Sequence, residues 1–299
     1  MRLNLPTNRQ LQYFIALEKH RHFGKAAEAC HVSQPAFSVA IQELESLLNV
    51  QLVDRTKKQV TITAIGKEIA TQARLALTDM EGIIDIAREN QQPLSGHLSL
   101  GVIPTIAPFL LPELLPRLRK SFPKLDLFLH EDQTERVYEL MMLGELDVIL
   151  IALPYSLRSV ETLSLFRDNF HLACRKGSRL IDPENYAIDN LPEESVLLLE
   201  DGHCLRDHAL SACKIRNLDK VSKITASSLL TLVQMVDADL GVTFIPEMAL
   251  HSNLLKHTHI ITRPLAKNSF REIGLVWRKG SRRKKEFKLL AEQIRPKGE

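Results

Sequence analysis

The sequence predicts an α/β protein in which a winged helix-turn-helix and a long linker helix precede a larger, two-lobed α/β domain. Three observations carry that expectation. Three helical patterns, the last two separated by a tight turn, occupy the first fifty residues. A stretch without proline follows at 64–89, with apolar residues at three- and four-residue steps. From 97 onward, strand-like and helix-like patterns alternate, and the chain returns late through one more apolar strand near 272–277.

The elements follow in chain order. Leu11, Phe14, Ile15 and Leu17 recur at helical spacing and predict a first helix over 7–20. Residues 23–30 are alanine-rich and short, as in a second helix, and His31-Val32 breaks it. Ser33 then stands as an N-cap, with Pro35 in the first turn, where a missing N–H costs nothing. Phe37, Ile41, Leu44 and Leu48 mark the core stripe of the third helix. Its opposite face carries Gln34, Ser38 and Gln42, side chains of the type that hydrogen-bond base edges, while Ser33 is placed to reach phosphate. Residues 50–63 read as two short strands with a basic tip at Arg55, Lys57 and Lys58, a wing against the DNA backbone. The apolar stripe of 64–89 has no sequence-local partner and predicts pairing with a second copy of the chain. Strands are expected at 97–103, 125–131 and 146–152, with helices at 109–121 and 134–143 between them. A second lobe fits 168–267, and a final helix fits 282–295, whose opening Arg282-Arg283-Lys284-Lys285 reads as a solvated helix start. The expected domains are therefore 1–63, a linker helix over 64–92, and 93–299, divided into lobe I (93–167 and 268–299) and lobe II (168–267).

Composition bounds the function. The chain has 299 residues, 44% hydrophobic and 25% charged, with a formal net charge of +3, ordinary for a globular protein and compatible with a local basic DNA-binding surface. No apolar run approaches membrane-spanning length and the N-terminus has no signal-peptide core, so a cytoplasmic protein with no membrane partner is expected. Four cysteines are too few for a disulfide scaffold. His20, His22 and His31 crowd together without a ligand-spaced carboxylate or thiol cluster, so neither a metal nor another cofactor is expected. Cys30 and Cys174 read as core residues.

The segment Glu200-Asp201-Gly202-His203-Cys204-Leu205-Arg206-Asp207, with Cys213 after it, is the part that suggests chemistry. Cationic donors beside a cysteine favour the reactive thiolate, and a second thiol within reach of a refolding loop can trap an oxidised first one. Residues 205–212 have helical character, and positions nine apart on a helix are separated by about 13–14 Å along the axis. A disulfide needs Cα atoms within about 7 Å. Any bond between these two thiols therefore requires the helix to break. The plainer reading, two small buried hydrophobes, stands beside this one.

Ala26-Ala27, Val32-Ser33-Gln34-Pro35-Ala36-Phe37-Ser38, Ile41, Leu44-Glu45, Leu52-Val53-Asp54-Arg55 and Thr63-Ala64-Ile65-Gly66 together resemble the LysR-type transcriptional regulators, departing from the pattern at Gly24-Lys25. The resemblance implies a periplasmic-binding-protein-like regulatory domain with a ligand cleft between its lobes. Within that family, residues 199–207 with Cys213, Gly101-Val102-Ile103-Pro104-Thr105, Leu129-His130-Glu131 with Gln133-Thr134, and Arg271 before Ile273-Gly274-Leu275-Val276 resemble the hydrogen-peroxide-sensing OxyR branch. Phe270 departs from it. That resemblance implies Cys204 as the peroxidatic, redox-sensing cysteine and Cys213 as the resolving one. It also implies a peroxide pocket of Thr105, Thr134, His203 and Arg271, with Asp207 adjacent. The implied signal is hydrogen peroxide, and the implied partners are double-stranded promoter DNA, further copies in a homodimer or homotetramer, and RNA polymerase. A regulator answering a small metabolite in the cleft, with bystander cysteines, is the rival. A thiol peroxidase is a second rival, disfavoured because an enzyme has no use for a helix-turn-helix, so no enzymatic turnover is expected.

Overall fold

The computed structural model describes residues 5–55, 60–88, 94–182, 186, 190–213, 215, 217–265 and 268–295. The chain forms two compact units, one of residues 1–92 with 143–145 and one of 93–142 with 146–299.

In the first unit, α1 (Asn8–His20), α2 (Phe23–Ala29) and α3 (Gln34–Leu48) precede β1 (Val53–Arg55), β2 (Val60–Ile62) and α4 (Ala64–Arg88). Local chemistry sets these boundaries. Thr7 and Gln10 form a reciprocal capping box at the start of α1. Ser33 caps α3, its hydroxyl accepting from the Ala36 N–H at 3.4 Å. Phe14, Leu17, Phe37, Ile41 and Leu44 are fully buried, and the ring of Tyr13 stacks on Phe37 at 5.0 Å. The Glu45 carboxylate accepts from the N–H groups of Leu52 and Val53 (2.8 and 3.1 Å), tying α3 to the antiparallel β1–β2 hairpin.

Helix α4 differs from the sequence expectation. Its apolar stripe does have a local partner, because small side chains let the first half approach α1 closely. Ala70 and Ala73 are buried, Ala70 within the helix-turn-helix core, and Arg74 pairs with Glu18 at 2.8 Å. Farther along, Met80 stays exposed.

The second unit contains β3 (Gly96–Val102), α5 (Ala107–Ser121), β4 (Leu125–Glu131), α6 (Thr134–Met142), β5 (Val148–Leu153) and β6 (Val160–Arg175). It continues through β7 (Val196–Leu199), α7 (Cys204–Ala212), β8 (Val221–Ala226), α8 (Leu229–Asp237), β9 (Thr243–Pro246), α9 (Glu247–Leu250), β10 (Ile260–Pro264), β11 (Phe270–Arg278) and α10 (Lys284–Ile294). Strands β4, β3 and β5 are parallel, and β11 lies antiparallel between β5 and β6. The far half of β6 pairs with β10 and β9, and β7 with β8 forms a small separate parallel sheet. Two hydrophobic cores define the two lobes. One gathers Leu98, Leu100, Ile149, Ile151, Leu275 and Phe287. The other gathers Phe170, Leu172, Leu197, Leu232, Val233 and Phe244.

One charged run is less solvated than its sequence suggests. Arg283 is partly buried and pairs with Asp147 (3.0 Å) and Glu286 (2.7 Å), whereas Arg282, Lys284 and Lys285 are exposed. Among the described residues no helix is long and apolar enough to cross a membrane.

Gly66 marks the tightest approach in the first unit, where a Cβ would lie 2.4 Å from the Leu52 carbonyl oxygen. Backbone cannot yield as a side-chain tip does. Gly66→Ala is expected to destabilise the DNA-binding unit by about 1–3 kcal/mol, read as a lower midpoint in thermal or urea unfolding, and an unchanged midpoint refutes the close packing of α4 on the Leu52 backbone just before β1.

Candidate functional site

The chain leaves β7 at Leu199 and turns through Gly202, whose φ of +94° and lack of side chain are both required: a Cβ would meet the Gln133 side chain at 2.5 Å. His203 is the N-cap residue of α7, and Cys204 is its first helical position. A thiol there sits at the positive end of a helix dipole, which favours its ionised form. Cys204 is nevertheless only 5% exposed and packs into the lobe I core, while Leu205, Ala209 and Cys213 of the same segment pack into the lobe II core. Helix α7 thus bridges the two cores, with one thiol anchored in each.

Burial decides the resting state of Cys204. It pushes the thiol pKa up, against the Thr134 hydroxyl, the charge of Arg271 and the backbone of Ala152, which pull it down, while Asp207 adds a further upward push. Among these influences desolvation is the largest, so the net push on the Cys204 pKa is upward. Arg206, next but one in sequence, is engaged elsewhere, pairing with Asp201 at 3.1 Å and donating to the Leu199 carbonyl at 3.2 Å. The cation that acts on the sulfur is Arg271.

Arg271 is 1% exposed, and its donors meet two neighbours, Asp168 and Thr105. Its Nε donates to Asp168 Oδ2, Nη1 to Thr105 Oγ1 and Nη2 to the Thr105 carbonyl, each at 2.9 Å. Asp168 Oδ1 in turn accepts from the Met248 N–H at 3.0 Å. The buried Thr134 Oγ1 makes no ordinary hydrogen bond among the described residues but interacts with the Cys204 sulfur, pulling its pKa down. Thr105, Thr134, Arg271 and Cys204 thus converge at the carboxyl ends of the lobe I strands. His203 is buried beside Cys204 in the chain and, with Thr105, lines the cleft between the lobes, a cavity of about 550 Å³. Asp207 is exposed and touches the site through its charge alone.

Sequence reasoning missed Asp168, Ala152 and His208. Asp168 faces Arg271 across the antiparallel β6–β11 ladder, a register that only the paired strands reveal. His208 follows Cys204 by one helical turn, a spacing that could have flagged it. Its Nε2 meets the Pro154 carbonyl at 3.0 Å, its Nδ1 is buried without a partner, and burial lowers its pKa, with Arg271 adding to the effect. Cys213 caps the far end of α7 at 3% exposure, with burial pushing its pKa up to about 12. The helix between the thiols holds them about 13–14 Å apart along its axis.

On the first unit, Ser33, Gln34, Pro35 and Gln42 are exposed, and Ser38 is half-buried on the same face of α3. Arg55 ends β1, but its side chain, like Lys57 and Lys58, lies outside the described residues. His22, one of the crowded histidines, caps α2 by accepting from the Lys25 N–H at 3.2 Å. No group of three metal-ligating side chains occurs among the described residues.

A winged helix-turn-helix on the same chain as a two-lobed sensor domain defines a one-component transcriptional regulator. The family model described as "Bacterial regulatory helix-turn-helix protein, lysR family" matches residues 8–67, and that described as "LysR substrate binding domain" matches residues 91–299. The chain belongs to the LysR family. It is 38% identical to the HTH-type transcriptional regulator EstR of Acinetobacter baylyi, covering 97% of each chain. It is also 38% identical to the DNA-binding transcriptional dual regulator OxyR of Escherichia coli, covering 96% of this chain and 94% of that one. A full-length OxyR variant from Pseudomonas aeruginosa superposes with a TM-score of 0.81 at 34% identity, over 97% of this chain and 95% of that one.

Two predictions follow from the thiols and their neighbours. Cys213 has a folded pKa near 12 against 9 for an ordinary cysteine, so the unfolded chain loses this proton first as pH rises. Its stability contribution is whole below pH 9 and is lost between 9 and about 12, at up to about 1.4 kcal/mol per pH unit. Urea unfolding of the reduced protein against pH should show this alkaline loss shrinking in Cys213→Ala. The hydroxyls of Thr134 and Thr105 should also separate. Thr134→Val removes a hydroxyl with no ordinary hydrogen bond at rest and is expected to slow peroxide oxidation of Cys204 by about tenfold or more while leaving the unfolding midpoint nearly unchanged. Thr105→Val strands a buried Arg271 donor and should lower both rate and midpoint. Stopped-flow oxidation and thermal unfolding of the two variants decide it, and identical behaviour rules out the distinction.

Proposed function

We propose that this protein is a peroxide-responsive, DNA-binding transcriptional regulator switched by Cys204 and Cys213. The observation that carries the reading is a buried thiol at the first position of α7, acted on by the buried Thr134 hydroxyl and the fixed charge of Arg271. A structural cysteine needs neither. Once ionised, the Cys204 sulfur attacks one peroxide oxygen. The O–O bond breaks, sulfur gives up two electrons, and the second oxygen leaves as hydroxide and takes up a proton to become water. Thr134 and Arg271 stabilise charge on sulfur and departing oxygen, with Thr105 and His203 bounding the approach. The Cys213 thiol then attacks the Cys204 sulfenic acid, releasing water and forming the disulfide.

That bond demands the loss of α7, because both thiols must leave their cores and close the helical separation. The rearranged segment would alter how regulatory domains meet in a homodimer or homotetramer, and so reposition the paired α3 helices on promoter DNA, in contact with RNA polymerase. Gln34, Ser38 and Gln42 would read bases, with Ser33, Pro35 and the wing residues Arg55, Lys57 and Lys58 along the backbone. The cytoplasm, which keeps thiols reduced between signals, is the fitting compartment.

A second reading is favoured by the cleft: a small metabolite bound between the lobes is the signal, with the cysteines inert. Thiol mapping by mass spectrometry separates the two. Anaerobically purified protein treated with one equivalent of hydrogen peroxide should lose two thiols to a single Cys204–Cys213 cross-linked peptide, and Cys204→Ser should abolish both that product and the change in promoter binding. Promoter binding in Cys204→Ser that still answers peroxide refutes the thiol switch.

A further inference from the structure

We infer that Val39, on the outward face of α3, packs against the 5-methyl group of a thymine in the major groove, and so gives this chain a preference for thymine at one fixed position of its DNA site. This inference rests on the reading of α3 as the base-reading helix and adds an apolar contact to the polar ones which that reading names.

Position is the first argument. Successive residues of an α-helix are about 100° apart. Phe37 and Ile41, both fully buried, stand two residues either side of Val39, so each lies about 160° round the helix from it. Val39 therefore points almost directly away from the helix-turn-helix core. It is 51% exposed, and among the described residues it is the one large exposed hydrophobe of α3. Pro35 and Gln42, both exposed, flank it at about 40° and 60°. The second helix of a helix-turn-helix enters the major groove with its N-terminal residues against the base edges. Val39 is the sixth residue of α3, within the first two turns, and so belongs to the part that reaches them.

Chemistry selects the base. The major-groove edges of adenine, guanine and cytosine present donors and acceptors, and thymine alone adds an apolar group, its methyl. Against a polar edge, an isopropyl group displaces water without replacing its hydrogen bonds. Against the methyl, it removes apolar surface from water on both sides. Valine is also ready-placed. Its branch at Cβ confines it to one dominant rotamer in a helix, so both methyls are held at fixed points and little freedom is lost on contact.

The surroundings argue for DNA over a protein partner. One isopropyl group with Gln42 beside it is too small to form the apolar centre of a protein interface, and it matches a single methyl. Glu43, exposed and four residues further on, carries a carboxylate that phosphate repels, which favours the opening turns of α3 as the part that meets DNA.

The test uses the reduced full-length protein and the duplex that it selects from a random pool. Each thymine is replaced in turn by deoxyuridine, which keeps the base pair and the O4 acceptor and removes only the methyl. Affinity is measured for the wild type and for Val39→Ser, a polar residue of similar helix propensity at an exposed position, whose unfolding midpoint should match the wild type. At one thymine for each bound α3, deoxyuridine should weaken the wild type about threefold to fivefold and leave Val39→Ser within about 1.5-fold. At every other thymine the two proteins should respond alike. If all replacements affect both proteins equally, the inference is overturned, and α3 remains the reading helix provided that Gln34→Ala still relaxes base preference. A uniform loss of affinity for every duplex in Val39→Ser also overturns it, because the side chain then meets the DNA backbone or supports the fold. If neither Gln34→Ala nor Val39→Ser alters base preference, the reading of α3 itself fails.

Discussion

The buried pair of Arg271 and Asp168 is the interaction on which the sensor domain depends. Removing a guanidinium from water is tolerable only when its donors are met, and here one carboxylate and both oxygens of Thr105 meet them. Through those bonds a single side chain on β11 holds β6 and the turn after β3, and through Asp168 it reaches the start of α9. The same charge acts on the Cys204 sulfur. Structural and electrostatic roles are therefore inseparable at this residue, and lysine, with a point charge and no fork, is no substitute.

Two opposed influences set the chemistry of Cys204. Burial pushes the thiol pKa up and leaves the sulfur only slightly exposed. Thr134, Arg271 and the Ala152 backbone favour the ionised form, and their influence is felt as charge develops rather than at rest. Cys213 has only burial acting on it, so it is inert while its core is intact. In the proposed switch this contrast orders the events: the first thiol has groups placed to stabilise its anion, and the second becomes a nucleophile once its helix opens.

Much of this was legible in the sequence, for physical reasons. Ser33 and Pro35 announce the start of α3 because capping is a local matter, and β4 coincides with the apolar run at 125–131. The Cys204–Cys213 spacing along one helix was equally local. What stayed hidden depends on contacts between distant segments. Asp168 is anonymous until β6 and β11 pair. The packing of α4 on α1 was missed because Ala70 and Ala73, small residues well suited to close approach, carry little weight in an apolar pattern. Burial was misjudged at Arg283, where charge in the sequence concealed a pair with Asp147. The upward push on the Cys204 pKa also depended on burial, and Arg206, a nearby cation in the sequence, pairs with Asp201 instead.

Strand β6 has a mechanical consequence. It pairs with β11 from Val160 to Asn169 and then, without a break, with β9 and β10 from Phe170 to Arg175. One continuous ribbon is thus shared by both lobes and serves as a common spine. Opening the lobes like a clamshell would have to bend or shear that ribbon and forfeit its ladder, whereas the loss of α7 leaves the ladder intact and gives up the burial of Cys204, Leu205, Ala209 and Cys213 instead. The two lobes are thus tied by a shared strand and also by a short helix with a thiol in each core.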